Sequence, residues 1–410
     1  MTNENFALNL KKYADLAVQT GANVQPGDDV YLQIAVDQAP LARLIVASVY
    51  KSGAARVMVQ WQDDTVKRLD LNHMGDDELD AVPPYEKAMY DYWVDQSAKR
   101  ITVVSADPDN LGSVDPRRVA RYNAGHQQAY ARLSNAISSN QISWTIIAAA
   151  SPKWAEKVFP DDDAAVAVDK LWTEIFKTTR IDKDDPEAAW QAHVDKLNEK
   201  AKWLNDQQFD ALHYSAPGTD LTVGLPKHHL WQAAGSTNPK GEFFIPNMPT
   251  EEVFTGPDKR RIDGTVASTK PLSYAGNVLE GMHFTFKNGE VINYKADRGQ
   301  AVLDDLFKIR GAKSLGEVSL VPDPSPISQS GIIFFNTLFD ENASDHMAFG
   351  QAYPFTVDGG VEMTPEQRDH AGLNDADTHV DFMMGSAEMN IDGISKEGKL
   401  VPIFRNGDWA

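Results

Sequence analysis

Acidic and histidine side chains recur beside Gly, Pro or strand-forming residues in four short segments of the second half of the chain. The segments are NMPTEEVFTGP, LGEVSLVP, FDENASDHMAFGQAYP and DTHVDFMMGS. The chain has no cysteine, so a metal site must use carboxylate and imidazole ligands. Together these segments offer enough such groups for two divalent ions about 3.5–4 Å apart, bridged by one carboxylate. The groups are Glu251, Glu317, Glu341, His346, His379 and Asp381.

Spacing predicts how two of these segments present their side chains. His379 and Asp381 are two residues apart, so on a strand they face the same side at a Cα separation of about 7 Å. Glu341 and His346 are five apart, which on a helix is a turn of about 140°. Residues 339–354 are therefore predicted to form a loop or a helix start around a site, and not a buried strand. Taken singly, each segment also fits an ordinary surface strand or helix start.

The remaining histidines are predicted to lie outside such a site. His228 and His229 are adjacent and would face opposite sides of a strand. His283 alternates with apolar neighbours and falls on a polar strand face. The others lie in polar helical or loop contexts, where a solvated side chain is expected: His73, His126, His193 and His370.

Length and composition define the scaffold that must position these groups. A chain of 410 residues predicts two domains, and 42% hydrophobic residues are enough for large cores. The net charge of −20 argues against a nucleic-acid partner, since phosphate contacts need clustered Lys and Arg. No apolar run reaches the roughly 20 residues of a membrane span. The first residues lack a signal-peptide pattern, which predicts a cytoplasmic protein without a membrane partner.

The first half of the chain alternates strand and helix patterns. A βαβ unit is predicted for DDVYLQIAV, APLARLIVASVYKSG and ARVMVQWQ. Two later strands of the same alternation are predicted at RITVVSAD and SWTIIAAASP. The pattern predicts an α/β N-terminal domain, residues 1–183, with a helix-covered and mainly parallel sheet. No glycine-rich phosphate motif follows these strands. A helix starting at Pro186 is predicted to open the next domain.

Residues 184–410 are predicted to form a β-rich α+β catalytic domain that binds the metals. Short alternating runs separated by Gly and Pro indicate an antiparallel or mixed sheet. The runs include FDALHYS, TDLTVGLP, MHFTFKNGEVINYKAD and GIIFFNTLF.

At these motifs the chain resembles the aminopeptidase T, aminopeptidase S and PepS family of bacterial metallo-aminopeptidases. The matching strings include GTDLTVGLP, NPKGEFFIPNMPTEEVFTGP, LGEVSLVP, FFNTLFDENASDHMAFGQAYP and HVDFMMGSAEMNIDG, in the family's order. The resemblance covers most of residues 205–410. Gly256 departs from the Thr or Ala that family members often have, and it leaves the ligand positions untouched.

The resemblance implies a role for each site residue. Glu251 ligates one ion, with Glu252 as the alternative, and Glu317 is shared by both ions. The remaining ligands are Glu341, His346, His379 and Asp381. Tyr353 is the catalytic tyrosine that donates to the oxyanion, and Glu317 is the candidate base for an activated bridging water.

The same resemblance implies cofactors, substrate and assembly. Two zinc, cobalt or manganese ions per chain would serve the release of N-terminal amino acids from small peptides with a free N-terminus. The family is also associated with homodimers. Two alternatives stay open: a two-metal hydrolase of esters or phosphates, and a non-enzymatic structural metal-binding protein. The two imidazoles argue against a structural calcium site, because calcium takes oxygen ligands. Phosphate hydrolysis would require Arg or Lys near the metals, and the four segments lack these residues near their ligands.

Overall fold

The computed structural model describes residues 3–275 and 277–410. Short 3₁₀ or π turns at Ala17–Gly21, Val36–Gln38, Ser328–Ser330, Glu341–Ala343 and Pro354–Thr356 supplement the α-helices. The α-helices are α1 (Asn3–Leu16), α2 (Ala39–Lys51), α3 (Asp64–His73), α4 (Asp76–Asp80), α5 (Pro84–Asp95), α6 (Pro116–Ala129), α7 (Ala131–Ser138), α8 (Pro152–Val158), α9 (Ala164–Thr178), α10 (Pro186–Gln207), α11 (Gln300–Leu306), α12 (Thr337–Asp340) and α13 (Pro365–Ala371). None of the helices in the described parts of the chain combines the length and apolar character that crossing a bilayer requires.

The strands fall into one parallel sheet and several antiparallel ones. They are β1 (Asp29–Ala35), β2 (Arg56–Gln62), β3 (Lys99–Val104), β4 (Trp144–Ala148), β5 (Ala211–Ala216), β6 (Thr219–Gly224), β7 (Ser236–Thr237), β8 (Phe243–Phe244), β9 (Val253–Thr255), β10 (Ile262–Ala267), β11 (Leu272–Tyr274), β12 (Asn277–Leu279), β13 (His283–Lys287), β14 (Glu290–Lys295), β15 (Leu315–Leu320), β16 (His346–Gly350), β17 (His379–Met383), β18 (Asn390–Ile394), β19 (Leu400–Arg405) and β20 (Asp408–Trp409).

The chain divides into two compact units. One unit comprises Met1–Gln191 with Gly235–Pro249, and the other comprises Ala192–Ala234 with Thr250–Ala410. The first unit contains the parallel sheet, in the strand order β2-β1-β3-β4. Helix α2 contacts β1 and β2, because its Leu41, Ile45 and Val49 recur at helical spacing and are buried.

The second unit is built from antiparallel strands. Eight of them form a sheet in the order β14-β13-β10-β6-β5-β18-β19-β20, and four form a smaller sheet in the order β17-β16-β15-β9. One face of the smaller sheet is apolar. There the ring of Phe349 lies 4.9 Å from Phe284 of the large sheet and 4.7 Å from Phe382 of its own sheet. The opposite face of the smaller sheet is left for polar side chains.

The predicted fold class is confirmed: a helix-flanked parallel sheet precedes a region rich in antiparallel strands. The predicted domain boundary at residue 183 stays a prediction. Helix α10 begins at Pro186 as expected.

Two local predictions were wrong. GIIFFNTLF forms no strand, since Asn336 caps helix α12 and the Asp340 carboxylate accepts hydrogen bonds from the Phe334 and Asn336 amides. The segment 339–354 is also not simply a loop, because His346–Gly350 form the buried strand β16. Strand β16 lies between two partner strands, so pairing on both edges satisfies its backbone despite its weak hydrophobicity.

Candidate metal centre

Strand register places the chemically active side chains on one face of the smaller sheet. Ala348 of β16 pairs with Glu317 of β15 on one side and with Asp381 of β17 on the other. Gly350 pairs with His379. Directly paired residues in an antiparallel sheet project from the same face. Ala348, whose side chain is a single methyl group, therefore lies between Glu317 and Asp381 on this face.

An irregularity in β15 turns Glu317 toward this face. Leu315 pairs with Phe349, yet Glu317 pairs with Ala348, so the register shifts by one residue at Gly316. Such a bulge reverses which side the following residues face. A Cβ on Gly316 would lie 2.4 Å from the carbonyl oxygen of Gly350, so only glycine fits the close approach of the two strands. Leu315 thus faces the core while Glu317 faces the polar side.

Side-chain alternation separates Glu252 from Glu251. Phe254 of β9 pairs with Ser319, which in turn pairs with His346, so all three belong to the site face. Glu252 lies two residues before Phe254 and shares that side, whereas Glu251 faces away. The Oε2 atom of Glu251 lies 3.5 Å from Nε2 of His193 on helix α10.

Glu252, Glu317 and His346 form the tightest group of possible ligands. One donor atom from each lies within 4.8 Å of the others, and all three residues are buried. Nε2 of His346 lies 3.2 Å from Oε2 of Glu252 and 3.6 Å from Oε1 of Glu317. These three side chains come from three adjacent strands or their starts.

His379 and Asp381 continue the group along β17. Nε2 of His379 lies 3.6 Å from Oε2 of Glu317 and 3.4 Å from Oδ1 of Asp381. The predicted shared face of these two residues is therefore present. Glu341 begins the short turn before β16, and its charge acts on Asp381, Glu252 and His346.

Both imidazoles are oriented by backbone carbonyls. Nδ1 of His379 lies 2.8 Å from the carbonyl oxygen of Gln351, and Nδ1 of His346 lies 3.3 Å from that of Ser344. A carbonyl oxygen only accepts, so each Nδ1 carries the proton. Each Nε2 is then directed at the carboxylates, which is the arrangement that ligating histidines adopt.

Two buried polar residues that the sequence did not single out support the carboxylates. The Ser319 hydroxyl donates to Oε2 of Glu252 over 2.7 Å. The Asn342 side chain accepts from the Glu251 amide at 2.7 Å, and its amide nitrogen lies 3.4 Å from Oε1 of Glu341. Ser319 lies two residues after Glu317, a spacing that would have indicated the shared strand face.

His193 was expected to be solvated, and that prediction was wrong. Its side chain is only 10% exposed, and its Nε2 lies 2.8 Å from the carbonyl oxygen of Thr250 as well as near Glu251. Helical periodicity alone does not reveal this contact, because the partner segment is distant in sequence.

Burial and repulsion from neighbouring carboxylates raise the pKa of Glu341 and Glu317. Burial raises the pKa of Glu341 well above its usual range, and repulsion from Asp381 and Glu252 adds to it. Burial also raises the pKa of Glu317, with Glu252 adding and the His346 hydrogen bond opposing. For Asp381 the effect of burial is outweighed by His379, whose charge lowers the pKa of that carboxyl.

The imidazoles respond in the opposite way. Burial alone would lower the pKa of His346, but hydrogen bonds to Glu252 and Glu317 raise it well above its usual range. Burial likewise opposes protonation of His379, yet Asp381 and Glu317 raise its pKa to about 10. Excess negative charge at this face therefore draws protons onto groups that are ordinarily neutral.

Tyr353 lies beside this cluster. Its ring centroid is 5.2 Å from that of His379, and it stacks on Phe355. Burial raises the pKa of the Tyr353 hydroxyl well above its usual value, and the charges of Glu317 and Asp381 raise it further.

The donor set fits divalent metal ions. Four carboxylates and two imidazoles converge, and no ion pair of the described residues joins these carboxylates to Lys or Arg. Buried carboxylates need a compensating cation or protons. Mixed oxygen and imidazole ligands suit zinc, cobalt or manganese more than calcium.

Comparisons with known proteins relate the chain to metalloproteases and aminopeptidases. The family model described as thermophilic metalloprotease (M29) matches residues 6–409. The chain is 54% identical over 408 residues to aminopeptidase PepS of Streptococcus thermophilus, covering 99% of each chain. It is 47% identical to aminopeptidase AmpS of Bacillus subtilis strain 168, covering 99% of this chain and 100% of the relative.

A solved structure shows the same similarity in three dimensions. Wild-type AmpT from Thermus thermophilus matches with a TM-score of 0.92 and 38% identity, covering 98% of this chain and 99% of that one. The resemblance inferred from the motifs and the predicted class of metallopeptidase enzyme are confirmed. The chain belongs to the thermophilic metalloprotease (M29) family.

Proposed function

We propose that this chain is a metal-dependent aminopeptidase that releases N-terminal amino acids from small peptides at a two-metal site. The observation that carries the proposal is the buried cluster of Glu252, Glu317 and His346 in a chain of a metalloprotease family. Relatives named aminopeptidase support the choice of an exopeptidase.

The proposed ligands differ from the sequence-based set at one position. Glu252 replaces Glu251, because its carboxylate reaches His346 while that of Glu251 reaches His193. The full set is Glu252, Glu317, Glu341, His346, His379 and Asp381. Glu317 is central, since its two oxygens approach the two different imidazoles at 3.6 Å each. That position suits a carboxylate shared by two ions.

Divalent ions bound here would lower the pKa of a water toward neutrality and polarise the scissile carbonyl. Glu317 is the proposed acceptor of the proton from that water. Tyr353 keeps its phenolic proton at neutral pH, because its pKa is raised. Its hydroxyl is thus available to donate to the oxyanion of the tetrahedral intermediate.

The choice among zinc, cobalt and manganese, the small-peptide substrates, the homodimer and the cytoplasmic location stay predictions. None of them is needed for the chemistry assigned to the site. A carboxylate or the metal centre would hold the substrate's free α-amine, which makes the activity depend on an unblocked N-terminus.

The test compares hydrolysis of leucine p-nitroanilide with that of its N-acetylated form. Chelator-treated protein is assayed before and after addition of zinc, cobalt or manganese, and Glu317→Gln protein is assayed in parallel. Metal-dependent turnover of the free amine alone, lost in Glu317→Gln, is the expected result. Metal-dependent turnover of the acetylated substrate at an equal rate would contradict an aminopeptidase.

A further inference from the structure

Arg100, on strand β3 of the first unit, is a mostly buried cation without a carboxylate partner among the described residues. Its Nη2 donates to Oε1 of Gln33 over 2.9 Å. Its Nε is buried and has no hydrogen-bond partner. Burial lowers the pKa of this guanidinium, which shows how poorly its charge is solvated. An uncompensated buried charge is costly, so the site calls for an anion.

Two further buried donors without a hydrogen-bond partner lie on the same sheet face as Arg100. The Thr102 hydroxyl, two residues along the same strand, is buried and also has no partner. Trp144 of β4 pairs with Arg100 in the sheet register, and its indole nitrogen is buried without a partner. Alternation and register place these three side chains on one face of the sheet. Guanidinium and indole N–H groups only donate, and the hydroxyl is able to donate as well.

Arg100 and Thr102 lie on the strand next to the point where the strand order of the sheet reverses. In the sheet order β2-β1-β3-β4, the chain first adds β2 on one side of β1 and then crosses to add β3 and β4 on the other side. Gln33 of β1 and Thr102 of β3 pair across this reversal, and both lie on the same sheet face as Arg100.

Aromatic side chains lie beside Arg100 on this face. Tyr31 pairs with Arg100 in register, and its ring stacks on Trp93 with centroids 5.3 Å apart. The Tyr90 ring meets Tyr31 edge-on at 6.1 Å. The polar half of the face is thereby bordered by rings that an apolar part of a ligand is able to contact.

We propose that this face of the parallel sheet binds the oxyanion of a small ligand, a carboxylate or a phosphate, through Arg100 and Thr102. The anion neutralises the guanidinium and accepts from Arg100 Nε and the Thr102 hydroxyl. A charge-assisted contact of this kind is stronger than one to a neutral group. The site is built from the first unit alone, whereas the proposed metal ligands all belong to the second. It does not depend on the proposed function.

The experiment is titration calorimetry of the metal-loaded protein with sodium phosphate and, separately, sodium acetate at constant ionic strength. The expected result is saturable binding of at least one anion with a Kd of about 1 mM or tighter. Which anion binds more tightly decides between a phosphate and a carboxylate. Arg100→Gln is expected to weaken binding at least about tenfold, and Thr102→Val by about threefold to tenfold.

Controls separate this site from the metal centre and from surface charge. Arg117→Gln removes an exposed arginine that pairs with Asp115, and it should bind the anion like the wild type. Glu317→Gln should also retain anion binding, which excludes binding at the metals. If Arg100→Gln fails to fold, Thr102→Val still tests the site, because this small change preserves the shape of the side chain. Hydrogen exchange should show added protection of β3 amides with the anion.

Three outcomes would overturn the proposal. The first is the absence of saturable binding of either anion up to about 10 mM, tenfold above the expected Kd. The second is equal affinity in the wild type and in both site variants. The third is loss of binding in Glu317→Gln with retention in Thr102→Val, since that pattern would place the anion at the metal centre.

Discussion

Glu317 and Ala348 face each other across β15 and β16 because one extra residue, Gly316, interrupts the register that Leu315 and Phe349 set. If Gly316 were instead paired regularly with Ala348, Glu317 would lie opposite Met347 and would face the aromatic core on the side of Leu315 and Phe349. The bulge therefore determines whether the central carboxylate belongs to the site or to the core.

Replacing Gly316 by alanine should disturb both stability and activity. The new Cβ would meet the backbone of Gly350 and Gln351 at 2.4–2.5 Å, so the strands must move apart. We expect a loss of about 2–4 kcal/mol in unfolding free energy and a large fall in kcat/KM. Gly359→Ala is the control, since its Cβ has open space and only its φ of +69° is strained, which costs about 1 kcal/mol. Equal effects in both variants would contradict this role.

Glu252→Gln and Glu251→Gln should differ sharply. Glu252 approaches His346 at 3.2 Å, whereas Glu251 approaches His193. We expect Glu252→Gln to lower metal affinity more than about 100-fold, above the 10–100-fold range of residues that merely support ligands. Glu251→Gln should stay within that range. Both variants are compared with the wild type by their metal content and by kcat/KM. The reverse order would restore Glu251 as the ligand.

Ser319→Ala tests whether the hydroxyl orients the Glu252 carboxylate. The variant loses a 2.7 Å hydrogen bond to Oε2 of Glu252, so we expect metal affinity to fall by about 10–100-fold. Ser314→Ala is a matched control, because Ser314 is buried and donates to backbone carbonyls of Lys259 and Gly289. Competition with a chelating indicator reports the affinities. Similar metal affinities in the two variants would exclude a specific role for Ser319.

Tyr353→Phe should lower kcat by about 10²–10³-fold if the hydroxyl donates to the oxyanion. The ring remains and keeps its contacts with Phe355 and His379. KM and metal content should therefore change little. Tyr294→Phe, on β14, provides a control tyrosine outside the site. Full turnover by Tyr353→Phe would show that the Tyr353 hydroxyl does not stabilise the oxyanion.

Metal binding should release protons and strengthen as pH rises. The pKa of His379 is raised to about 10, and those of His346 and Glu341 are raised well above their usual values. His379 thus holds a proton at pH 7 in the metal-free protein, and the pKa values of the other two groups are shifted in the same direction, while ligation requires all three deprotonated. Calorimetry in buffers of different ionisation enthalpy should give about one proton or more per bound ion. Binding heats independent of the buffer would contradict these directions.

Much of the fold followed from local pattern. The βαβ alternation and the helix starting at Pro186 were visible because their hydrophobic periods are local properties. The same-face placement of His379 and Asp381 followed from strand alternation and is present. The strand His346–Gly350 escaped detection, since its pairing partners on both sides come from distant segments.

The sequence by itself determined the ligand chemistry, because the absence of cysteine and the acid and histidine motifs are matters of residue type. It also determined the family, through long motifs in a common order. Only the tertiary structure showed that Glu252 approaches His346 while Glu251 approaches His193, and that the Ser319 hydroxyl donates to Glu252. It alone showed that Arg100 is buried without a carboxylate among the described residues. These features depend on register, bulges and burial, which arise when distant segments pack and are not encoded in any one segment.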